Sequence, residues 1–180
     1  EITTRIFSGI SKIMAHYDGF IEKYAGDAVM IDYVYGYAKL NGTSSLGRAV
    51  MECTTNTATA KAVRCRREIF ARSVDETAAR RPLPRILALA CGHLREAYLS
   101  TAVCDRRIGE YIALDQDPES LAVVDQTFGR QGVRIVRASV LDLPTSDLAH
   151  APRGAGGGFD LVYAAGLYDY LWQGAAKELT

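Results

Sequence analysis

The sequence predicts an α/β chain whose second half is a parallel sheet, and three features predict it. Two short apolar runs, Ile86–Cys91 and Tyr111–Leu114, stop at Gly92 and Asp115 respectively. Continuous apolar runs suit strands buried on both faces, as parallel strands are. From Arg85 onward strand-like and helix-like stretches alternate, which implies parallel strands joined by crossovers. Asp117-Pro118 opens one intervening helix, because Asp caps and Pro suits the first helical position.

In chain order, Thr3–Tyr17 places Ile6, Ile10, Ile13, Met14 and Tyr17 on one helical face. Asp18-Gly19 is a turn signal. Phe20–Tyr24 alternates, Gly26-Asp27 interrupts, and Ala28–Val34 is apolar and β-prone, so a hairpin with Gly-Asp at its tip is expected. Residues 1–36 thus read as a helix plus β-hairpin fragment, and residues 37–56, with Asn41-Gly42, as a linker or junction. Residues 57–180 read as the sheet domain. Thr57–Arg80 is rich in helix formers and arginine, with a loose stripe at Ala58, Ala62, Ile69 and Val74; Pro82 and Pro84 stop it. The expected strands are Arg85–Cys91, Tyr111–Asp115, Val133–Ala138 and Phe159–Ala164. The expected helices are about Leu94–Val103, Pro118–Phe128 and a start near Leu167, with a Gly-rich loop over Arg153–Gly158. A sheet of this size leaves an apolar edge, a route to self-association.

At 180 residues the chain has room for one domain, or one domain plus a fragment. Its formal net charge of zero argues against general affinity for nucleic acid or an anionic membrane. No apolar run nears the roughly 20 residues that span a bilayer, and the amino end lacks a secretory signal. Cys53, Cys65, Cys91 and Cys104 are scattered with no CxxC pair, which reads as unpaired thiols in a reducing compartment, hence the cytoplasm. A start at Glu1 and an end inside a helix-like stretch lead us to expect a piece of a longer protein.

In an open parallel sheet, ligands sit beyond the carboxyl ends of the strands. Gly92 closes the first strand and lets a ligand approach the backbone. Asp115 closes the second, where a carboxylate can accept from a ribose diol. Asp117 reads first as a helix cap. Ser139 and Asp142 follow the third strand; Asp142 is placed either to accept from an adenine amino group or to cap a turn. Tyr163, Gly166, Tyr168 and Asp169 belong to the fourth, and Tyr163, Tyr168 and Tyr170 either line an acceptor pocket or belong to the core. His93 and Arg95 stand at the mouth, as a base or orienting group and as a two-pronged carboxylate holder. The plain alternative is a solvated Arg95, with Glu96 complementing its helix's amino end.

Ile86-Leu-Ala-Leu-Ala-Cys-Gly92, Ala113-Leu-Asp-Gln-Asp-Pro118 and Phe159-Asp-Leu-Val-Tyr-Ala-Ala-Gly-Leu-Tyr-Asp-Tyr-Leu171 resemble motifs of class I S-adenosylmethionine-dependent methyltransferases. Ala90-Cys-Gly-His-Leu-Arg-Glu96 and the Gly-Leu-Tyr-Asp-Tyr-Leu tail resemble a bacterial branch associated with methyl esters of 3-hydroxy fatty acids. The resemblance runs from about Leu46 to Thr180. It implies a Rossmann-like sheet, truncated after the fourth strand, that binds S-adenosylmethionine through Ala90, Cys91, Gly92, Asp115, Gln116, Ser139, Val140, Asp142 and Tyr163. His93, Arg95 and Tyr168 would then serve a small or fatty-acid-like methyl acceptor. Transfer to a carboxylate rests mainly on alignment and desolvation. The sequence departs from the usual first motif. Ala88 takes the acidic position, and Ala90 and Leu94 replace the first and last glycines of Gly-x-Gly-x-Gly.

Residues 2–31 are similar to a different family, the class III adenylyl and guanylyl cyclases, through Glu22-Lys-Tyr-Ala-Gly-Asp-Ala-Val-Met30. There the resemblance implies that Lys23 recognises adenine and Asp27 binds catalytic metal. One carboxylate is not a two-metal site, and otherwise Asp27 reads as a turn residue. The alternatives to a methyltransferase-like domain are a cyclase fragment, a non-catalytic nucleotide-binding module and an NAD-binding domain.

Overall fold

The apolar runs become neighbouring strands. The computed structural model describes residues 28–39, 44–146, 148, 158–167, 171 and 173–178. The chain divides into two compact units, Glu1–Arg64 and Cys65–Thr180.

In the first unit Ala28–Tyr35 is a helix, α1. This corrects the expected second strand of a hairpin. The run Ala-Val-Met-Ile-Asp-Tyr-Val-Tyr has no Gly or Pro, and apolar periodicity alone does not separate a short buried strand from a buried helix. The expected helix over Thr3–Tyr17, the strand over Phe20–Tyr24 and Asp27 lie outside the described residues. Within the segment read as a junction, Ser45–Thr55 forms α2, where the Ser44 hydroxyl accepts from the Gly47 N–H at 3.1 Å. The Arg64 guanidinium donates to the carbonyls of Val34 (3.1 Å) and Thr55 (2.8 Å), satisfying acceptors at the carboxyl ends of both helices.

The third helix, α3, spans Ala58–Arg80 and leads into the second unit. There β1 (Arg85–Leu89), β2 (Glu110–Asp115), β3 (Val133–Arg137) and β4 (Leu161–Ala164) form a four-stranded, all-parallel sheet in the order β3-β2-β1-β4. The class is α/β with Rossmann-like strand order. Side chains alternate between the faces. Ile86, Ala88, Tyr111, Ala113 and Tyr163 meet Val74 of α3, with Val124 and Phe128 of the helix α5 (Pro118–Phe128). Leu87, Leu89, Ile112 and Leu114 face the other way, onto Val140, Leu143 and Phe159. At the amino ends Glu110 pairs with Arg85 of β1 (2.8 Å) and Arg134 of β3 (3.0 Å), stapling three strands in register. Burial opposes ionisation of Glu110, but the two guanidiniums outweigh it and hold its carboxyl below the usual range. The outer strand β3 is less apolar than expected: it reads Val-Arg-Ile-Val-Arg, and charges of this kind blunt an edge.

The helix expected over Leu94–Val103 is broken. A 3-10 turn over Arg95–Leu99 gives way at Ser100 to a short α4, Thr101–Cys104. The cause is a cap supplied from elsewhere in the chain. The Asp75 carboxylate on α3 accepts from the Ser100 hydroxyl (2.6 Å), the Ala102 N–H (2.8 Å), the Thr101 N–H (3.2 Å) and the Thr101 hydroxyl (3.1 Å). Burial pulls the Asp75 pKa up, yet these hydrogen bonds together hold it below its ordinary 3.8. A depressed carboxylate contributes stability above its unfolded value and loses it as pH falls through the folded one. Asp75→Ala is expected to cost about 2–3 kcal/mol at neutral pH. Urea unfolding would show the gap from wild type narrowing as pH drops below about 4, and a gap constant with pH would refute the charged cap.

Candidate functional site

Beyond the carboxyl ends of β1 and β2, the backbone and one side chain are laced together. Asp115 is the last residue of β2. Its Oδ2 accepts from the Gly92 N–H at 2.8 Å and its Oδ1 from the Asp117 N–H at 2.9 Å. The Cys91 N–H donates to the Leu114 carbonyl (3.1 Å), and the Ala138 N–H to that of Asp115 (3.0 Å). So the two positions singled out as strand tips touch through a hydrogen bond. Each carboxylate oxygen keeps a second lone pair for a further donor.

The loop after β1 is wound in an unusual way. Ala90, Gly92 and Leu94 all have left-handed backbones, with φ of 47°, 51° and 51°. Only Gly92 adopts this freely; the conformation costs Ala90 and Leu94 roughly 1 kcal/mol each. Leu94 is 1% exposed, so its packing offsets that cost.

The other predicted residues fall in several places. Gln116 is exposed directly after Asp115. Asp117 caps α5, its carboxylate accepting from the Glu119 N–H (3.1 Å) and the Ser120 N–H (3.0 Å) and hydroxyl (2.6 Å). The Ser120 hydroxyl is the main cause of its lowered pKa, and His93 adds a favourable charge. His93 is 8% exposed, so its side chain is buried rather than standing open to solvent. The Arg95 guanidinium lies 5.8 Å from the centre of the Tyr98 ring, which packs on Phe128. The Ser139 hydroxyl accepts from the Leu141 N–H (3.2 Å), capping a 3-10 turn over Val140–Thr145. Val140 packs on the sheet, and Asp142 sits exposed in the first turn. Tyr163 points into the packed layer, its ring stacked on Phe70 at 4.8 Å; of the alternatives weighed for it, the core is where it lies. Tyr168, Asp169 and Tyr170 lie outside the described residues.

Sequence reasoning missed a buried polar chain on one face of the sheet. The Tyr163 hydroxyl donates to Glu96 Oε1 (2.6 Å) and lies 2.5 Å from the Tyr111 hydroxyl. Tyr163 spends its one proton on Glu96, so Tyr111 must donate to Tyr163. Burial raises the pKa of Glu96. Burial, reinforced by the Glu96 charge, also drives both phenols well above 10, so they stay protonated donors. The only sequence hint was an acid between the apolar Leu94 and Ala97. Its partner on β4 is far along the chain.

Cys91 sits in the same neighbourhood. Burial, with Asp115 and then Glu96 adding negative charge, pushes its thiol far up, which makes it a poor nucleophile. All four cysteines are free, and Cys53, Cys65 and Cys104 are exposed. Iodoacetamide on the native chain is expected to label those three quickly and Cys91 only on unfolding. Peptide mass spectrometry reads this directly, and early labelling of Cys91 would show that the loop after β1 opens.

Among the described residues no cluster of His, Cys, Asp or Glu is arranged to hold a metal ion, and no helix is long and apolar enough to cross a membrane. A cavity of about 10 Å³ lies at the amino ends of β2 and β3, between Ile108, Tyr111 and Val133. It has room for at most one water. No protein-family model matches the chain, and no curated protein matches it.

Proposed function

We propose that the second unit binds the adenosine part of S-adenosylmethionine at the carboxyl ends of β1 and β2 and serves methyl transfer to a small or lipidic acid. The observation that carries this reading is the Asp115 carboxylate at the tip of β2, 2.8 Å from the Gly92 N–H at the tip of β1. An acidic side chain there suits a ribose diol, and a glycine beside it lets the ligand reach the backbone. The left-handed backbones at Ala90, Gly92 and Leu94 support it too, because these are the positions where the resembled motif carries glycines. Gln116, exposed next to Asp115, and Ser139 and Val140, at the turn after β3, would border the nucleoside. S-adenosylmethionine supplies an activated methyl group. The chain's part is to hold donor and acid in line and to exclude water, since a carboxylate nucleophile needs no proton removed.

Calorimetric titration with S-adenosylhomocysteine tests this, with NAD as a parallel ligand because Asp115 would suit either. Binding of S-adenosylhomocysteine and not NAD is the expected result. A folded chain that binds NAD alone, or neither ligand, would end the proposal.

A further inference from the structure

The outer helix α3 runs antiparallel to β4. At the strand's amino end Arg81 pairs with Asp160 at 2.9 Å. Farther along, Phe70 stacks on Tyr163. Beyond the strand's carboxyl end the Arg66 guanidinium lies over Gly166, where a Cβ would meet its two terminal nitrogens at 3.1 Å and 3.4 Å. Arg66, Phe70 and Val74 follow at intervals of four, one helical face against the sheet. Arg66 thus reaches the end of the sheet where ligands bind. It does so beside the place where the strand order reverses: β2 and β3 lie to one side of β1, and β4 returns on the other.

Among the described residues the buried Arg66 Nε has no hydrogen-bond partner. A guanidinium presents five donors and cannot shed its charge. A buried donor left unfilled is costly, and a ligand acceptor would recover that cost. Gly166, with φ of 120° and no side chain, leaves the guanidinium lying against bare backbone. The acidic surroundings narrow the choice of anion. Glu96 is near enough to feel the Arg66 charge, and the Asp115 carboxylate occupies the tip of β2. A doubly charged phosphate would be repelled there, whereas a singly charged planar carboxylate matches the guanidinium fork.

We propose that Arg66 holds a ligand carboxylate at the crevice between the carboxyl ends of β1 and β4. The inference rests on the methyl-donor reading and extends it. The carboxylate belongs either to the amino-acid end of the donor or to the acid that accepts the methyl group.

Calorimetry separates the sources. Wild type, Arg66→Met and Arg66→Lys are titrated with S-adenosylhomocysteine, with methylthioadenosine (an adenosine thioether without a carboxylate) and with octanoate. Thermal melts check that each is folded, and Arg66→Lys carries the comparison if Arg66→Met does not fold. If the donor's carboxylate is held, Arg66→Met weakens S-adenosylhomocysteine about tenfold or more and leaves methylthioadenosine unchanged, with partial recovery in Arg66→Lys. If the acceptor's is held, both nucleosides bind as before and octanoate binding is lost. Wild-type affinity for all three ligands in Arg66→Met, or an equal loss for both nucleosides, overturns the assignment. A wild type that binds neither nucleoside refutes the methyl-donor reading instead. Octanoate alone then decides the arginine, and binding indifferent to Arg66, or none, overturns it.

Discussion

Asp115→Ala is expected to lower stability by about 2–3 kcal/mol and to weaken S-adenosylhomocysteine by at least tenfold, roughly 1.4 kcal/mol. The two effects share one cause. The carboxylate accepts from the backbone of Gly92 and of Asp117, so its removal strands two N–H groups at the strand tips and removes the acceptor for a ribose diol. Asp115→Asn separates the two. One amide oxygen can still accept from one N–H, while the NH₂ opposes the other, so stability should fall by less than in the alanine variant. Binding should still suffer, because one acceptor has become a donor. Urea midpoints and calorimetry on the same preparations measure both. A full-strength ligand affinity in a folded Asp115→Ala would remove Asp115 from the site, whatever its role in holding the loop.

Truncating Glu96 should be strongly damaging in the packed layer. Glu96→Ala leaves a cavity and two buried phenols with a broken chain of donors, at a cost of about 2–4 kcal/mol. Glu96→Gln keeps the volume and the oxygen that accepts from Tyr163. The pH dependence then tells the two carboxyl states apart. Burial is the main cause raising the Glu96 pKa above its ordinary 4.5, with Arg66 and Arg67 pulling the other way. A group raised in the folded state stabilises fully below its unfolded value, and that contribution is lost as pH rises through the folded one. So wild type should lose stability relative to Glu96→Gln as pH climbs from about 4.5 toward neutrality, and Glu96→Gln should equal or exceed it at neutral pH. Urea midpoints across that range give the difference. A difference flat with pH would mean that Glu96 ionises alike in the folded and unfolded chains.

Much of this was legible in the sequence. Four strands, their parallel sense and the start and end of α5 followed from apolar runs bounded by Gly, Asp-Pro and Pro, because such punctuation acts locally. Gly92 and Asp115 were picked out for the same reason: each ends an apolar run, and strand ends are where an open sheet offers backbone and carboxylates. Failures fell where distant partners decide. Ala28–Tyr35 had no local signal to choose between strand and helix. The break at Ser100 depends on Asp75, on a different helix. Burial of Tyr163 depends on Phe70 and Val74, which α3 brings across.

Sequence-local chemistry therefore settled the four strands and α5 of the second unit, the α/β class and the two strand tips, because steric limits on Gly and Pro, capping by Asp and the burial of apolar runs all act within a few residues. Three-dimensional packing alone settled the rest. It joined Asp115 to the Gly92 backbone, ran Tyr111, Tyr163 and Glu96 into one buried chain, and carried Arg66 to the carboxyl end of β4. These contacts link residues far apart in the chain, and a buried hydrogen bond exists only once the elements that exclude water from it have met.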